Sequence, residues 1–386
     1  MTSQAIHSED IYFWLRLLLT PGIGSVSARK LLATFGSPEA IFHQNQLSLG
    51  QIVSQKQTQA LLTPPTTYRP ACNQLKQWIE QSSNHHILPL GHIHYPQKLL
   101  ETPDPPLLLF ANGNLELLQR PGLAIVGSRN PTPQGKETAQ DFARTFSRQG
   151  ITVVSGLALG IDGTSQQAAL NEAGGTIAIL GTGIDRVYPA THHALTHQIA
   201  QKGLLLSEYP LGTAPSTHNF PKRNRIIAGL SLGTLVVEAT VHSGSLITAK
   251  LAAEMGKEVF AIPGSIHSPQ SKGCHWLIKQ GAKLVETAQE IIEELRLPAP
   301  LNTNTGSPIP ATLQLPATGT PQPHLQTNAE IILDAIGQGP TSFEAISQRT
   351  GLDTAQLQAE LLTLELNQHI ARLPGGLFQQ LHSPKS

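Results

Sequence analysis

Between residues 123 and 295 the hydrophobic positions keep changing period. Short unbroken apolar runs at 123–126, 151–154, 176–180, 204–206, 234–237 and 258–262 are rich in β-branched residues. Such runs are expected where a strand is covered on both faces. Between them lie longer stretches with apolar residues at helical spacing, at 135–148, 164–172, 190–200 and 245–255. Six strands alternating with helices predict βαβ units, and so an α/β core with a doubly wound, extended Rossmann-like parallel sheet.

The flanks follow other patterns. The N-terminal segment 1–66 runs from an apolar helix through Leu19-Thr20-Pro21-Gly22-Ile23-Gly24 into a second helix at 25–35. That order predicts a helical domain of helix-hairpin-helix (SAM-like) type, whose backbone N–H groups face a phosphate, or a plain αα-hairpin that only packs. Softer boundaries fall at 63–68, and at 102–106 where Pro105-Pro106 blocks helix. The core is therefore assigned to 67–296. The stretch from Leu297 to Ala329 carries seven prolines and no Lys, Arg, Asp or Glu. It reads as an extended linker over 297–327. From 328 to 386, three helical patterns (the first stopped by Gly337-Gln338-Gly339-Pro340) and a hairpin around Pro374-Gly375-Gly376 outline a winged helix.

Composition narrows the classes. A length of 386 residues fits two or three domains, and 39% hydrophobic residues exclude wholesale disorder. Cys72 and Cys274 lie far apart with no CxxC spacing, which excludes a disulfide framework and a zinc finger. The early apolar run 11–19 follows Glu9-Asp10, contains Arg16, and is far short of the roughly 20 residues a membrane span needs. A soluble cytoplasmic protein with no membrane partner is expected. The chain is formally neutral, yet residues 120–290 hold 15 basic and 11 acidic groups while residues 291–386 hold 4 and 8. The core is the better place for a polyanion and the tail the worse.

Candidate chemistry concentrates at the carboxyl ends of the predicted strands, where ligands of open α/β sheets bind. Gly127-Ser128-Arg129, Ser155-Gly156, Gly181-Thr182-Gly183 and Ser243-Gly244-Ser245 place small polar residues at four such ends, a shelf of backbone donors suited to phosphate. The sharpest cluster is Phe220-Pro221-Lys222-Arg223-Asn224-Arg225 at a helix start. Cations there oppose the helix dipole, so an anion nearby is implied, and an aromatic ring beside them stacks on an unpaired base. Other matches fail on context. Gly229-Leu230-Ser231-Leu232-Gly233 precedes a strand instead of following one. No G-x-G-x-x-G follows the first strand. His92-Ile93-His94 and His192-His193 lack a third ligand at metal spacing. No catalytic set, metal site or cofactor motif emerges.

Nine successive segments resemble the motifs of the DNA-processing protein DprA (Smf) family. They are Ala124-Ile-Val-Gly-Ser-Arg129, residues 155–162, 181–189, 207–212 and 220–225, Val237-Glu-Ala239, and residues 243–249, 260–264 and 273–278. The resemblance implies a non-catalytic binder of single-stranded DNA that loads the RecA recombinase during natural transformation. It implies a homodimer through the C-terminal part of the core, with residues 273–285 as the candidate surface. Carried over by motif, Gly127, Ser128, Arg129, Phe220, Arg223, Asn224 and Arg225 would form the DNA pocket. The arginines would hold phosphates and Phe220 would stack on a base, with Lys222 in the motif's variable position. Gly233-Thr234 through Glu238 also faintly resembles nucleotide phosphoribohydrolases, in which Glu238 would serve near a ribose. Leu230-Ser231-Leu232 replaces the glycines that such enzymes carry. The tail departs from a groove-reading winged helix: residues 353–368 contain no Lys or Arg but carry Asp353, Glu360 and Glu365, so a protein partner is expected there.

Overall fold

The computed structural model describes residues 10–297, 328–336, 341–367, 369–373 and 376–380. The linker expected at 297–327 and the turns expected at 337–340 and 374–375 lie outside the described residues, apart from Leu297. The described residues divide into two compact units, one within 10–131 and 138–297, the other within 132–137 and 328–380.

The larger unit is built on a nine-stranded sheet in the order β1-β2-β6-β5-β4-β3-β7-β8-β9. The six predicted strands are β3 (Gly122–Val126), β4 (Thr152–Ser155), β5 (Thr176–Ile179), β6 (Leu204–Ser207), β7 (Gly233–Val236) and β8 (Glu258–Ala261). They pair in parallel throughout. Alternation along β3 fills both faces: Leu123 and Ile125 enter one apolar cluster, Ala124 and Val126 the other. Helices then close each face. The Pro133–Arg148 helix turns Ala139, Phe142, Ala143 and Phe146 inward, the i, i+3, i+4, i+7 stripe of an amphipathic helix.

The sheet is mixed rather than wholly parallel. β1 (His85–Pro89) and β2 (Leu108–Gly113) add an antiparallel pair beside β6, and β9 (Lys283–Leu284) extends the other edge in parallel. The N-terminal helices Asp10–Leu19 and Ser25–Phe35, with the turn Gly22 at φ 77° between them, keep a small core of their own around Leu17, Ala28, Leu31 and Ile41. They share the larger unit with the sheet. Trp14, Leu15, Leu75 and Trp78 pack against Phe110 and Leu205 of the sheet, so no break between compact units falls at residue 66.

In the smaller unit the helices Asn328–Ile336, Phe343–Thr350 and Thr354–Leu366 pack around Ile332, Ile346, Leu357, Leu361 and Phe378. Ser342 caps the second helix by accepting from the Ala345 N–H, and Gly351 at φ 64° ends it. β11 (Ile370–Leu373) and β12 (Leu377–Gln380) form the predicted hairpin, and β10 (Thr341–Ser342) adds a third strand on β12. Among the described residues no helix is long and apolar enough to cross a membrane.

Candidate nucleic-acid interface

Strand order reverses beside β3, with β4, β5 and β6 to one side and β7 and β8 to the other. A crevice outside the strand ends is the geometric consequence. A cavity of about 510 Å³ lies there. Nine of the thirteen residues expected to bind DNA line it: Gly127, Ser128 and Arg129 after β3, Phe220, Arg223 and Asn224 on the Asn219–Leu230 helix, and Ser243, Gly244 and Ser245 after β7. Ser155, Gly156, Lys222 and Arg225 do not.

The helix explains that division. Successive residues on an α-helix are turned by about 100°, so four adjacent polar residues fan almost around the axis and never share one ligand. From this helix the cavity takes Phe220, Pro221, Arg223, Asn224 and Ile227, all but Pro221 spaced i, i+3, i+4, i+7. Lys222 and Arg225 fall on another face. Arg225 Nη2 donates to Glu208 Oε2 at 2.5 Å and its Nε donates to Asp104 Oδ2 at 3.0 Å. Lys222 is 53% exposed, 3.9 Å from Glu208 Oε2 and 5.8 Å above the Tyr209 ring.

Arg223 faces the cavity from below. Only 4% exposed, it donates from Nη1 to the Gly156 carbonyl at 2.6 Å and to the Ile179 carbonyl, tying the ends of β4 and β5 together. Asp162, also buried, accepts from the Gly156 N–H at 3.1 Å. Burial pushes the Arg223 pKa down to about 10, against the pull of Asp162, so it stays cationic at neutral pH. Burial pushes the Asp162 carboxyl up, and the charge of Arg223 opposes that shift. At Gly156 a Cβ would sit 2.4 Å from Arg223 Nη1, so any side chain there would displace the guanidinium. The expectation that Arg223 and Arg225 offer free guanidiniums to phosphates therefore meets a different arrangement. Both are held by protein acceptors. Ser155 is fully buried, with its Oγ donating to the Ile125 carbonyl at 2.6 Å, and lies beneath the shelf.

Above this brace the surface is open. Arg129 is exposed, and no hydrogen bond or ion pair joins its guanidinium to the described residues. Partly exposed Phe220 lies over Gly181, where a Cβ would come within 2.7 Å of its Cδ1. The Ser245–Glu254 helix begins at the shelf, bringing its positive dipole end to the cavity. Asn224 Nδ2 donates to the Gly244 carbonyl at 3.4 Å, joining the two helix starts.

Asn130, Asp162, Thr217, Thr240, Thr248 and Gln270 also line the cavity, though the sequence pattern did not mark them. Gln270 arrives from the β8–β9 connection, accepting from Ser128 Oγ at 3.3 Å and donating to the Asn130 carbonyl at 3.1 Å. The i, i+3, i+4, i+7 rule on 220–227 was the available signal for the helix; no local signal marks Gln270. Among the described residues, no group of three His, Cys, Asp or Glu side chains is placed to hold a metal ion. Glu238 is not among the residues that line the cavity.

A family model described as DNA recombination-mediator protein A matches residues 86–296, more than half of the chain. A second, the DprA winged helix domain, matches residues 316–376. The chain belongs to the DprA/Smf family. It is 39% identical to protein Smf of Escherichia coli (strain K12) over 374 residues, 95% of both chains. Among solved structures, DprA of Streptococcus pneumoniae superposes with a TM-score of 0.64 at 36% identity, covering 75% of this chain and 99% of that one. DNA processing protein A of Helicobacter pylori, solved for its single-stranded DNA binding mode, superposes at 0.50 with 34% identity, covering 55% of this chain and 96% of that one. A DprA/Smf assignment accounts for both units, the mixed, mostly parallel sheet and the winged helix.

Proposed function

We propose that this DNA-processing recombination mediator binds single-stranded DNA in the cavity beside β3, without catalysis, and hands it to the RecA recombinase during natural transformation. One observation carries the reading: an unengaged arginine, a shelf of small-residue backbone donors and a partly exposed aromatic ring converge on one cavity at the switch point. Arg129, the 127–128 and 243–245 backbone and Asn224 meet phosphate and sugar, and Phe220 stacks on a base. Ser155, Gly156, Arg223 and Arg225 form the frame, and Lys222 stands at its edge. The single-stranded DNA bound by the Helicobacter pylori relative supports the choice of ligand. Stacking explains the preference over duplex, whose bases are not free to meet a ring.

A homodimer through residues 273–285 belongs to the same proposal. Trp276, on the Lys272–Lys279 helix, is 46% exposed and Leu284 is 49% exposed on β9, whose outer edge pairs with no strand among the described residues. Trp276→Asp should yield a monomer in sedimentation.

The test is binding of labelled oligo-dT and of matched duplex at two salt concentrations. Tight binding of the single strand alone is expected, with a log–log salt slope of about −0.7 per phosphate contact. Failure of the wild-type protein to bind the single strand would overturn the reading. Release of free base from AMP would revive the phosphoribohydrolase alternative, which the placement of Glu238 outside the cavity lining disfavours.

A further inference from the structure

Tyr188 stands outside the cavity lining, yet its ring centroid lies 5.3 Å from that of Phe220 with the planes 32° apart. It is 45% exposed, a large fraction for a tyrosine already packed against another ring. Its loop is pinned: Asp185 Oδ1 accepts from the Gly212 N–H at 2.8 Å, Thr182 Oγ1 donates to the Arg186 carbonyl at 2.9 Å, and the Gly183 N–H donates to the Thr213 carbonyl at 3.0 Å. Tyr188 is therefore presented by a fixed loop, an inexpensive arrangement for a binding surface.

The spacing restricts what the ring pair does. A base sandwiched between two rings needs about 7 Å between them, two contacts of about 3.5 Å each. At 5.3 Å nothing inserts, so each ring offers only its outer side. Phe220 lines the cavity while Tyr188, packed against it, lies outside the lining and is 45% exposed. The pair has the geometry of a wedge between two nucleotides. Arg186, two residues away on the same loop, is exposed and lies 3.9 Å from Asp185 Oδ2.

We propose that Tyr188 is a second stacking platform of the single-strand site, receiving the base of a nucleotide outside the cavity while Phe220 holds its neighbour within. This inference rests on the single-strand reading above and extends that site by one nucleotide. Base–aromatic stacking tolerates any sequence, so the platform adds length to the site without adding sequence preference.

The experiment uses the full-length protein and oligo-dT carrying single 5-iodouracil substitutions at successive positions, irradiated and mapped by peptide mass spectrometry. Crosslinks to both Tyr188 and Phe220, from different nucleotides, are expected. Tyr188→Ala should weaken oligo-dT binding by about 5- to 150-fold, the range of one lost stacked base, and Tyr188→Phe should bind as wild type. If Tyr188 merely props Phe220, Tyr188→Ala will add nothing in a Phe220→Ala background; independent loss in both backgrounds is expected. Wild-type binding with no Tyr188 crosslink, or with Tyr188→Ala unaffected, would overturn this inference alone. Absence of any wild-type binding would overturn the single-strand reading and this inference with it.

Discussion

Arg223 and Arg129 both line the cavity, and their surroundings predict opposite phenotypes. Replacing Arg223 with alanine removes two charge-assisted hydrogen bonds to the Gly156 and Ile179 carbonyls and leaves Asp162 buried without its nearby cation. Hydrogen bonds to charged groups contribute about 1.5–3 kcal/mol each, and removing one member of a buried charged group costs about 3–5 kcal/mol. Relief of the guanidinium's desolvation offsets part of the sum, so a loss of about 3–5 kcal/mol is expected. For a unit of this size that lowers Tm by roughly 5–8 °C. Arg129 is exposed and unengaged, so Arg129→Ala should leave stability within about 0.5 kcal/mol while removing one phosphate contact. Its salt slope should become shallower by about 0.7. Thermal unfolding by circular dichroism and fluorescence anisotropy with labelled oligo-dT separate the two outcomes. An Arg223→Ala protein with wild-type Tm and reduced DNA affinity would refute the brace and return Arg223 to the phosphate-binding role suggested by its sequence.

Three further tests follow from local geometry. Gly181→Ala places a methyl 2.7 Å from Phe220 Cδ1, so the ring must shift; the protein should stay folded while oligo-dT affinity falls severalfold, read by anisotropy. Lys257 Nζ donates to the Ala228 and Gly229 carbonyls at the end of the Asn219–Leu230 helix, and burial lowers its pKa to about 8. The unfolded chain therefore binds more protons between about pH 8 and the unfolded value near 10.5, and wild-type stability should rise with pH across that window relative to Lys257→Met, measured by urea unfolding. Deleting residues 297–386 should leave oligo-dT affinity within about twofold, because the Thr354–Leu366 helix carries no Lys or Arg; a large loss would show that the tail touches DNA.

The inner sheet was legible because both of its faces are covered. β3 to β8 are unbroken apolar runs that no helix period explains, and their predicted positions fall within one or two residues of the observed ones. β1 and β2 escaped notice because only one flank of each announces a strand. His85-His86 opens β1, Asn112-Gly113 closes β2, and Pro105-Pro106 between them reads as a boundary. The segments on either side of 66/67 share the larger unit for a similar reason. Thr63 to Tyr68 is polar and turn-rich locally, but Trp14 and Trp78 reach the sheet through contacts that local composition does not encode. Nine of the thirteen expected residues line the cavity, but which of them are braced by protein partners was not legible in the sequence. Asp104 lies 121 residues from Arg225, and no spacing rule anticipates that pair.

The same pairing changes what the charge of the core means. Residues 220–225 read as three free cations, yet Arg225 is matched by Asp104 and Glu208, Arg223 has Asp162 nearby and is held by carbonyls, and Lys222 lies near Glu208. That leaves Arg129 as the exposed cation lining the cavity, supported by backbone donors and a helix terminus that carry no net charge. Counterion release scales with the cations that meet phosphates, so one or two contacts per cavity give a slope of only about −0.7 to −1.4. On the proposed single-strand reading, stacking on Phe220 and Tyr188 would then supply a large share of the affinity, at about 1–3 kcal/mol per base. Binding that relies on rings more than on charges survives physiological salt and discriminates against duplex, because a paired base has no free face to offer.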